Sequence, residues 1–397
     1  MLKRVYNIKK IAEKTGAIEK ILNLQNSVFF VICVHTATDS RSEKERIMNN
    51  RTLRCVLVGL GRIGWQFHLP NLLRQPGFEL VAVVDPDADR RNEAAGTHGI
   101  LRCHGALEEV DVSDIDLAVI ASPTPFHASQ TLWCFERGID VFCDKPAALN
   151  LQEAQQMQAA AEKNGRRLMV YQPHRLSTDA CCAKKIMTSG ALGEIFMIER
   201  NSDSFSRRND WQALKKNGGG MLMNYGSHFL DQYFYLTGDT CASVKCELQT
   251  VLSLGDADDV VQVLLRGRLG GLFKLSINMA TTYSQPSLIL YGRQGTAWSQ
   301  DDGSWRLRYY QPDAIHGQQL FAGFAAPQRR YPGGVPDLQE EVVLPTPEDH
   351  DRYYQLCYEY FGLGKEAFVP FSQTLEVMRT IELCRENSCN VAIEQRS

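Results

Sequence analysis

From Arg54 onward the chain alternates short apolar runs with longer segments whose apolar residues recur at helical spacing. The runs are Cys55–Leu60, Phe78–Val84, Leu117–Ala121, Val141–Cys143 and Leu168–Val170. Continuous runs this short suit strands that are covered on both faces. Between them Asp87–Ala95, His127–Arg137 and Leu151–Asn164 read as helices, and Asn150 is placed to cap the last. Pro70 falls inside the first helical segment and is expected to kink or end it. Strand–helix alternation of this kind predicts an α/β fold, a doubly wound parallel sheet with helices on both faces.

Past Tyr171 the pattern changes. A helix over Thr178–Ser189 and a turn at Gly190–Gly193 lead to a strand at Ile195–Asn201. A polar segment, Ser202 to Asn217, ends in Gly218-Gly219-Gly220. Then come β-like runs at Ser243–Leu254, Val260–Arg266, Leu272–Met279, Ser287–Tyr291 and Trp305–Tyr310, with turn signals between several of them. Successive strands predict a second, α+β domain with an open, largely antiparallel sheet. Residues 311–345, rich in Pro, Gly and Gln, read as one long loop, a candidate lid or oligomer contact. Helices near Asp349–Phe361 and Ser372–Glu386 close the chain and are candidates to pack back on the first domain.

Residues 1–50 do not share either pattern. They start basic, pass through a short apolar run at Val28–Val34 and turn charged from Asp39 to Arg46. They are read as an extension outside the fold, with Met48 as the expected native start and a targeting or oligomerisation arm as the alternative. The expected organisation is therefore 1–50 extension, 51–172 first domain and 173–397 second domain.

Composition narrows the partners. An apolar share of 44% and a charged share of 22% are those of an ordinary soluble globule. A net charge of −3 gives no electrostatic case for nucleic acid or an anionic membrane. No apolar run has transmembrane length. The twelve cysteines form no C-x-x-C, so their spacing gives no metal signal, and reduced thiols in a cytoplasmic protein are the expectation.

The first strand runs into Gly59-Leu60-Gly61-Arg62-Ile63-Gly64. This is the G-x-G-x-x-G pattern of a dinucleotide site and makes the first domain a Rossmann candidate. Gly59 allows the tight turn, Gly61 close approach of a pyrophosphate, and Gly64 close packing of helix on strand. The following helix N-terminus offers free N–H groups to phosphate. The second strand ends at Asp85, about twenty residues further on, where a carboxylate suits the ribose hydroxyls. It would repel a 2′-phosphate, so NAD is expected in preference to NADP. Arg90 and Arg91 are expected on the exposed side of the next helix.

Two further places carry candidate chemistry. Asp144-Lys145-Pro146 follows an apolar strand, so Lys145 stands where the ligand crevice of a parallel sheet opens and can serve a substrate oxygen. In Gly218–Asp231, Asn224 and His228 are four residues apart on one helical face, with Asp231 close enough to orient His228, a candidate general base. The glycines ahead of them are read as admitting a ligand close to the backbone. Ser122-Pro123-Thr124 and His127 follow another strand and are candidates to line the cofactor cleft.

Taken in order, these pieces resemble the glucose–fructose oxidoreductase and inositol dehydrogenase family (Gfo/Idh/MocA), from about residue 52 to the C-terminus. The resemblance implies an NAD-dependent oxidoreductase acting on a sugar, cyclitol or related polyol, working as a homodimer or homotetramer. It implies cofactor contacts from Gly59, Gly61, Arg62, Ile63, Gly64, Asp85, Ser122, Pro123, Thr124, His127, Asp144 and Lys145, and catalysis by Lys145 and His228. The family's E-K-P falls on Asp144-Lys145-Pro146. The carboxylate that accompanies the histidine in the family falls on Asn224, which orients but supplies no charge. That change keeps two alternatives open: an NAD-dependent glycosidase or lyase using transient oxidation, and a non-enzymatic NAD or metabolite sensor. Arg175, Trp211, Asp231 and Tyr283 are further candidates for substrate contacts.

Overall fold

The computed structural model describes residues 52–315, 320, 322–324, 337–345 and 352–388, so the expectations for residues 1–50 fall outside the described residues. The alternating half forms a six-stranded, wholly parallel sheet of β1 (Leu53–Val58), β2 (Phe78–Val84), β3 (Arg102–His104), β4 (Leu117–Ile120), β5 (Asp140–Cys143) and β6 (Leu168–Val170). Its spatial order is β3-β2-β1-β4-β5-β6, the Rossmann arrangement, which places the strand-order reversal between β1 and β4. The apolar runs mark every strand except β3, whose Arg-Cys-His sequence is only half-buried at the sheet edge.

Helices α1 (Leu69–Arg74), α2 (Ala88–His98), α3 (His127–Glu136) and α4 (Leu151–Asn164) cover this sheet. Asp87 caps α2 by accepting the Asp89 N–H, and Asn150 caps α4 by accepting the Glu153 N–H at 2.8 Å. Pro70 does not end the first helical segment. A π-helical turn, Gly64–His68, runs straight into α1, and Pro70 falls in the first turn of α1, so the proline coincides with the change of helix type without ending the segment.

The second sheet has eight strands: β7 (Ile195–Asp203), β8 (Cys241–Gln249), β9 (Val260–Gly267), β10 (Leu272–Asn278), β11 (Leu288–Gly292), β12 (Gly295–Ser299), β13 (Trp305–Tyr309) and β14 (Gln339–Val343). Their order is β14-β13-β12-β11-β7-β10-β9-β8, and only β7 and β10 pair in parallel. The long-loop expectation for 311–345 is therefore corrected at β14, which pairs with β13 along Gln339–Val343. Its Gln-Glu-Glu-Val-Val sequence shows no buried face because an edge strand needs only one line of backbone bonds. The β-like run from Ser243 also stops early. Beyond Gln249 the Asp259 carboxylate accepts the N–H groups of Val251, Leu252 and Ser253, which folds the chain into a loop.

Four more helices join the layers: α5 (Thr178–Ser189), α6 (Ser227–Thr237), α7 (Arg352–Phe361) and α8 (Phe371–Glu386). One face of the parallel sheet shares a continuous apolar core with α6, α8 and the second sheet. Its other face is closed by α7, whose Tyr353, Tyr354, Cys357 and Phe361 pack with β1 and β5 residues such as Leu57 and Phe142. Burying a large side chain of this kind contributes roughly 1.5–3 kcal/mol.

Candidate active site

The glycine loop is fixed by sterics. Gly59 has φ +97°, and a Cβ there would stand 2.6 Å from the Ala121 carbonyl oxygen and the Ser122 nitrogen. A Cβ on Gly64 would run into the Gly59 carbonyl, so these two glycines let the turn, α1's entry and β4 close on each other. Gly61 differs: no atom lies within 4 Å of its Cβ position. Two glycines serve packing and one keeps clearance, which fits a loop that receives a pyrophosphate.

Asp85 is buried at the end of β2 and accepts the Leu60 N–H at 2.7 Å and the Asp87 N–H at 2.9 Å. Arg90 is exposed as expected and Arg91 is half-buried, yet both turn toward the end of β2. Arg90 reaches back to 3.6 Å from the Asp85 carboxylate, and Arg91 donates to the Asp85 and Pro86 carbonyls. Ser122, Pro123 and Thr124 form the turn after β4, where the Ser122 hydroxyl donates to Gln130 and Thr124 is buried. His127 does not open onto the cleft. Its ring is buried between two backbone oxygens, those of Pro146 at 2.9 Å and Ser122 at 2.7 Å. It thereby ties the loop after β4 to the Lys145 turn.

A cleft of about 740 Å³ opens at the C-terminal ends of β1, β5 and β6, and its lining includes Arg62, Ile63, Asp144, Lys145, Asn224 and His228. The Lys145 ammonium donates to the Asn224 side-chain oxygen at 2.7 Å and to the Asn224 carbonyl at 3.1 Å. Burial pushes Lys145 down to about 8, with Arg62 and Arg208 adding to the shift and Asp144 opposing it. Asp144 accepts the Lys145 backbone N–H at 2.8 Å.

Asn224 sits in a second π-helical turn, Leu222–Gly226, just before α6. The Asp258 carboxylate holds this turn by accepting the Leu222 N–H at 2.8 Å. Gly220 has φ +103°, and a Cβ there would strike Asp258. Here the glycine serves the Asp258 anchor, not the ligand approach expected from sequence. Both π turns border the cleft, a frequent place for such irregularities.

His228 donates from Nδ1 to Gln172 Oε1 at 3.2 Å, which leaves Nε2 as the acceptor. The Gln172 backbone is fixed in turn by the Tyr353 hydroxyl, which accepts the Gln172 N–H and donates to the Val170 carbonyl. The His174 ring stacks on His228 with centroids 4.1 Å apart. Burial drives both imidazoles toward the neutral form; His174 falls to about 4, and His228 well below its ordinary value, with Lys145, His174 and Arg200 adding to the effect. Both rings are therefore neutral at pH 7, with Lys145 the group poised to exchange a proton near that range.

Asp231 does not orient His228. It forms a two-point ion pair with Arg175, at 2.6 and 2.8 Å, with both side chains 1% exposed. That pair also removes Arg175 from any substrate contact. Trp211 and Tyr283 are both exposed, and both lie outside the cleft lining. Gln172, Tyr171 and His174 escaped sequence reasoning although the end of β6 was a signal for them, since strand ends of a parallel sheet face the crevice. Arg208 escaped it too, because nothing in the polar segment marks one arginine among several. Among the described residues no cluster of three or more His, Cys, Asp or Glu is placed to hold a metal.

Comparison with known proteins agrees with this geometry. Residues 53–172 match the family model described as an oxidoreductase family, NAD-binding Rossmann fold, and residues 182–298 match a GFO/IDH/MocA C-terminal domain. The Escherichia coli oxidoreductase YdgJ is 25% identical over 85% of this chain and 96% of its own length. The Escherichia coli D-glucoside 3-dehydrogenase is 28% identical over 48% of this chain and 56% of its own length. The WlbA dehydrogenase of Bordetella pertussis, solved with NADH and UDP-GlcNAcA, superposes with a TM-score of 0.66 at 22% identity, covering 85% of this chain and 96% of its own.

Proposed function

Because the chain belongs to the Gfo/Idh/MocA oxidoreductase family, we propose that it is an NAD-dependent dehydrogenase acting on a hydroxyl-bearing carbon of a sugar, cyclitol or related polyol. The observation that carries this is the Lys145 ammonium, held by Asn224 at the strand ends beside the glycine loop and shifted to about 8. A relative that is a glucoside dehydrogenase and a structural neighbour that binds a nucleotide sugar support the substrate class.

Bound NAD supplies the hydride acceptor. Gly59, Gly61 and Gly64 would hold its pyrophosphate, with Arg62 and Ile63 in the same loop, and Asp85 its ribose. Asp85 supports NAD over NADP. The neutral Lys145 amine takes the hydroxyl proton, and Asn224 keeps that amine aimed into the cleft. His228, neutral and fixed by Gln172, accepts a second hydrogen bond from the substrate and orients it. The same reading takes 51–172 as the cofactor domain and 173–397 as the substrate and assembly domain of a cytoplasmic homodimer or homotetramer. Buried cysteines such as Cys55, Cys134 and Cys143 are free thiols, and no described helix is long and apolar enough to cross a membrane.

The NAD-dependent glycosidase or lyase remains the second reading, favoured by one observation: Asn224 lends the site no carboxylate. The protein mixed with NAD and a polyol panel tests both. Reduced cofactor accumulating in step with oxidised sugar supports the dehydrogenase. Sugar products released with only trace cofactor would favour the second reading, and NAD binding without turnover of any panel member would favour a sensor.

A further inference from the structure

The lining of the cleft is net positive. Arg62, Arg74, Lys145 and Arg208 stand in it against a single carboxylate, Asp144. Both histidines in it are neutral at pH 7. A bound dinucleotide accounts for the cations on the glycine-loop side, where Arg62 stands in the fingerprint itself and Arg74 at the end of the following helix. It does not account for Arg208, which enters the lining from the segment after β7.

Arg208 lies in the polar segment after β7, and its backbone is anchored where its carbonyl accepts the Leu254 N–H at 3.1 Å. Its Nε is buried and makes no hydrogen bond among the described residues. Asp210 forms a solvent-facing ion pair with that nitrogen at 3.3 Å, out of line for a hydrogen bond, so the fork keeps donors for a further anion. A guanidinium is a planar fork of donors that pairs most strongly with a carboxylate or phosphate, and a buried donor left unmade is costly. It is also near enough to Lys145 to disfavour the ammonium form there, which an anion between them would relieve.

We propose that the substrate carries an anionic group, a carboxylate or a phosphate, that is held by Arg208 while its hydroxyl faces Lys145. This rests on the dehydrogenase reading and narrows its substrate class to acidic or phosphorylated sugars and polyols. Arg208 becomes the residue that sets this preference without taking part in proton transfer.

The test uses the full chain loaded with NADH for binding and with NAD for turnover. Glucose, glucuronate and glucose 6-phosphate serve as neutral, carboxylate and phosphate probes. Calorimetry on the NADH-loaded protein is expected to show one of the two anions binding at least about tenfold tighter than glucose, since a charged hydrogen bond is involved. Arg208→Gln removes that preference, Arg208→Lys keeps part of it, and NADH affinity is unchanged in both. Whichever anion binds tells carboxylate from phosphate. Equal binding of all three probes, or a preference that survives Arg208→Gln, overturns the proposal. Anion binding by the parent that is lost in Arg208→Gln, with no turnover of any probe or polyol by the parent, would sustain anion recognition by Arg208 and refute the dehydrogenase reading instead.

Discussion

The glycine loop and the side-chain wall of the cleft are built on different principles. At the loop, backbone sterics decide everything: Gly59 and Gly64 have no room for a Cβ, and Gly61 keeps clearance. At the wall, side chains from distant parts of the chain meet. Lys145 comes from the end of β5, Asn224 from the π turn before α6, Gln172 and His174 from the end of β6, and Arg208 from the segment after β7. A cofactor common to many enzymes can be held by a short fixed motif. A substrate needs groups whose identities can change one at a time, so they are dispersed.

The comparison is sharpest if one wall can fail while the other persists. Lys145→Ala should lower kcat/KM by about 10²–10⁴-fold, the usual span for a lost acid–base group, with NAD affinity retained in a fluorescence titration. Turnover retained in that variant would remove Lys145 from the mechanism. Next in size is Asp231→Asn, which leaves the buried Arg175 guanidinium without its charge partner and should cost about 3–5 kcal/mol in urea unfolding. The substrate KM of the folded variant should stay at the parent value, because this pair lies behind the cleft. A raised KM with unchanged stability would restore Arg175 or Asp231 to the substrate site. Gly61→Ala should be milder still. Its Cβ points into open space, so the melting temperature stays near that of the parent while NAD affinity falls about tenfold, roughly 1.4 kcal/mol. Gly59→Ala, strained at φ +97°, should instead lower the melting temperature.

The same contrast explains what could be read from the chain. Apolar runs revealed five of the six parallel strands because their side chains are largely buried, whereas β3 is only half-buried and β14 almost wholly exposed, so neither carries such a run. The loop and Asp85 were legible because their spacing follows local geometry. Lys145 and His228 were legible from the strand end and helical spacing. The partner of His228 was not. Asp231, three residues on, is the nearer in sequence, yet burial pairs it with Arg175 and leaves His228 to Gln172 across the fold. Arg208 shows the same limit, since its position against Lys145 is set by a loop anchored to the β8–β9 connection.

The central claim is that Lys145 transfers the proton and that burial, with no carboxylate at position 224 to oppose it, keeps its titration low. The pH dependence of kcat/KM in the parent and in Asn224→Asp tests it. The lysine must be unprotonated to act as base, so the parent rate should rise with pH, be half-maximal near 8 and level off above that. A carboxylate in place of the Asn224 oxygen, 2.7 Å from the ammonium, favours the charged form and should move that limb to higher pH, by about 1–3 on the pH scale. At pH 7 the variant is then slower, by about tenfold for a limb displaced by one and about a hundredfold for a limb displaced by two. A limb that stays where it was in the parent would contradict the account.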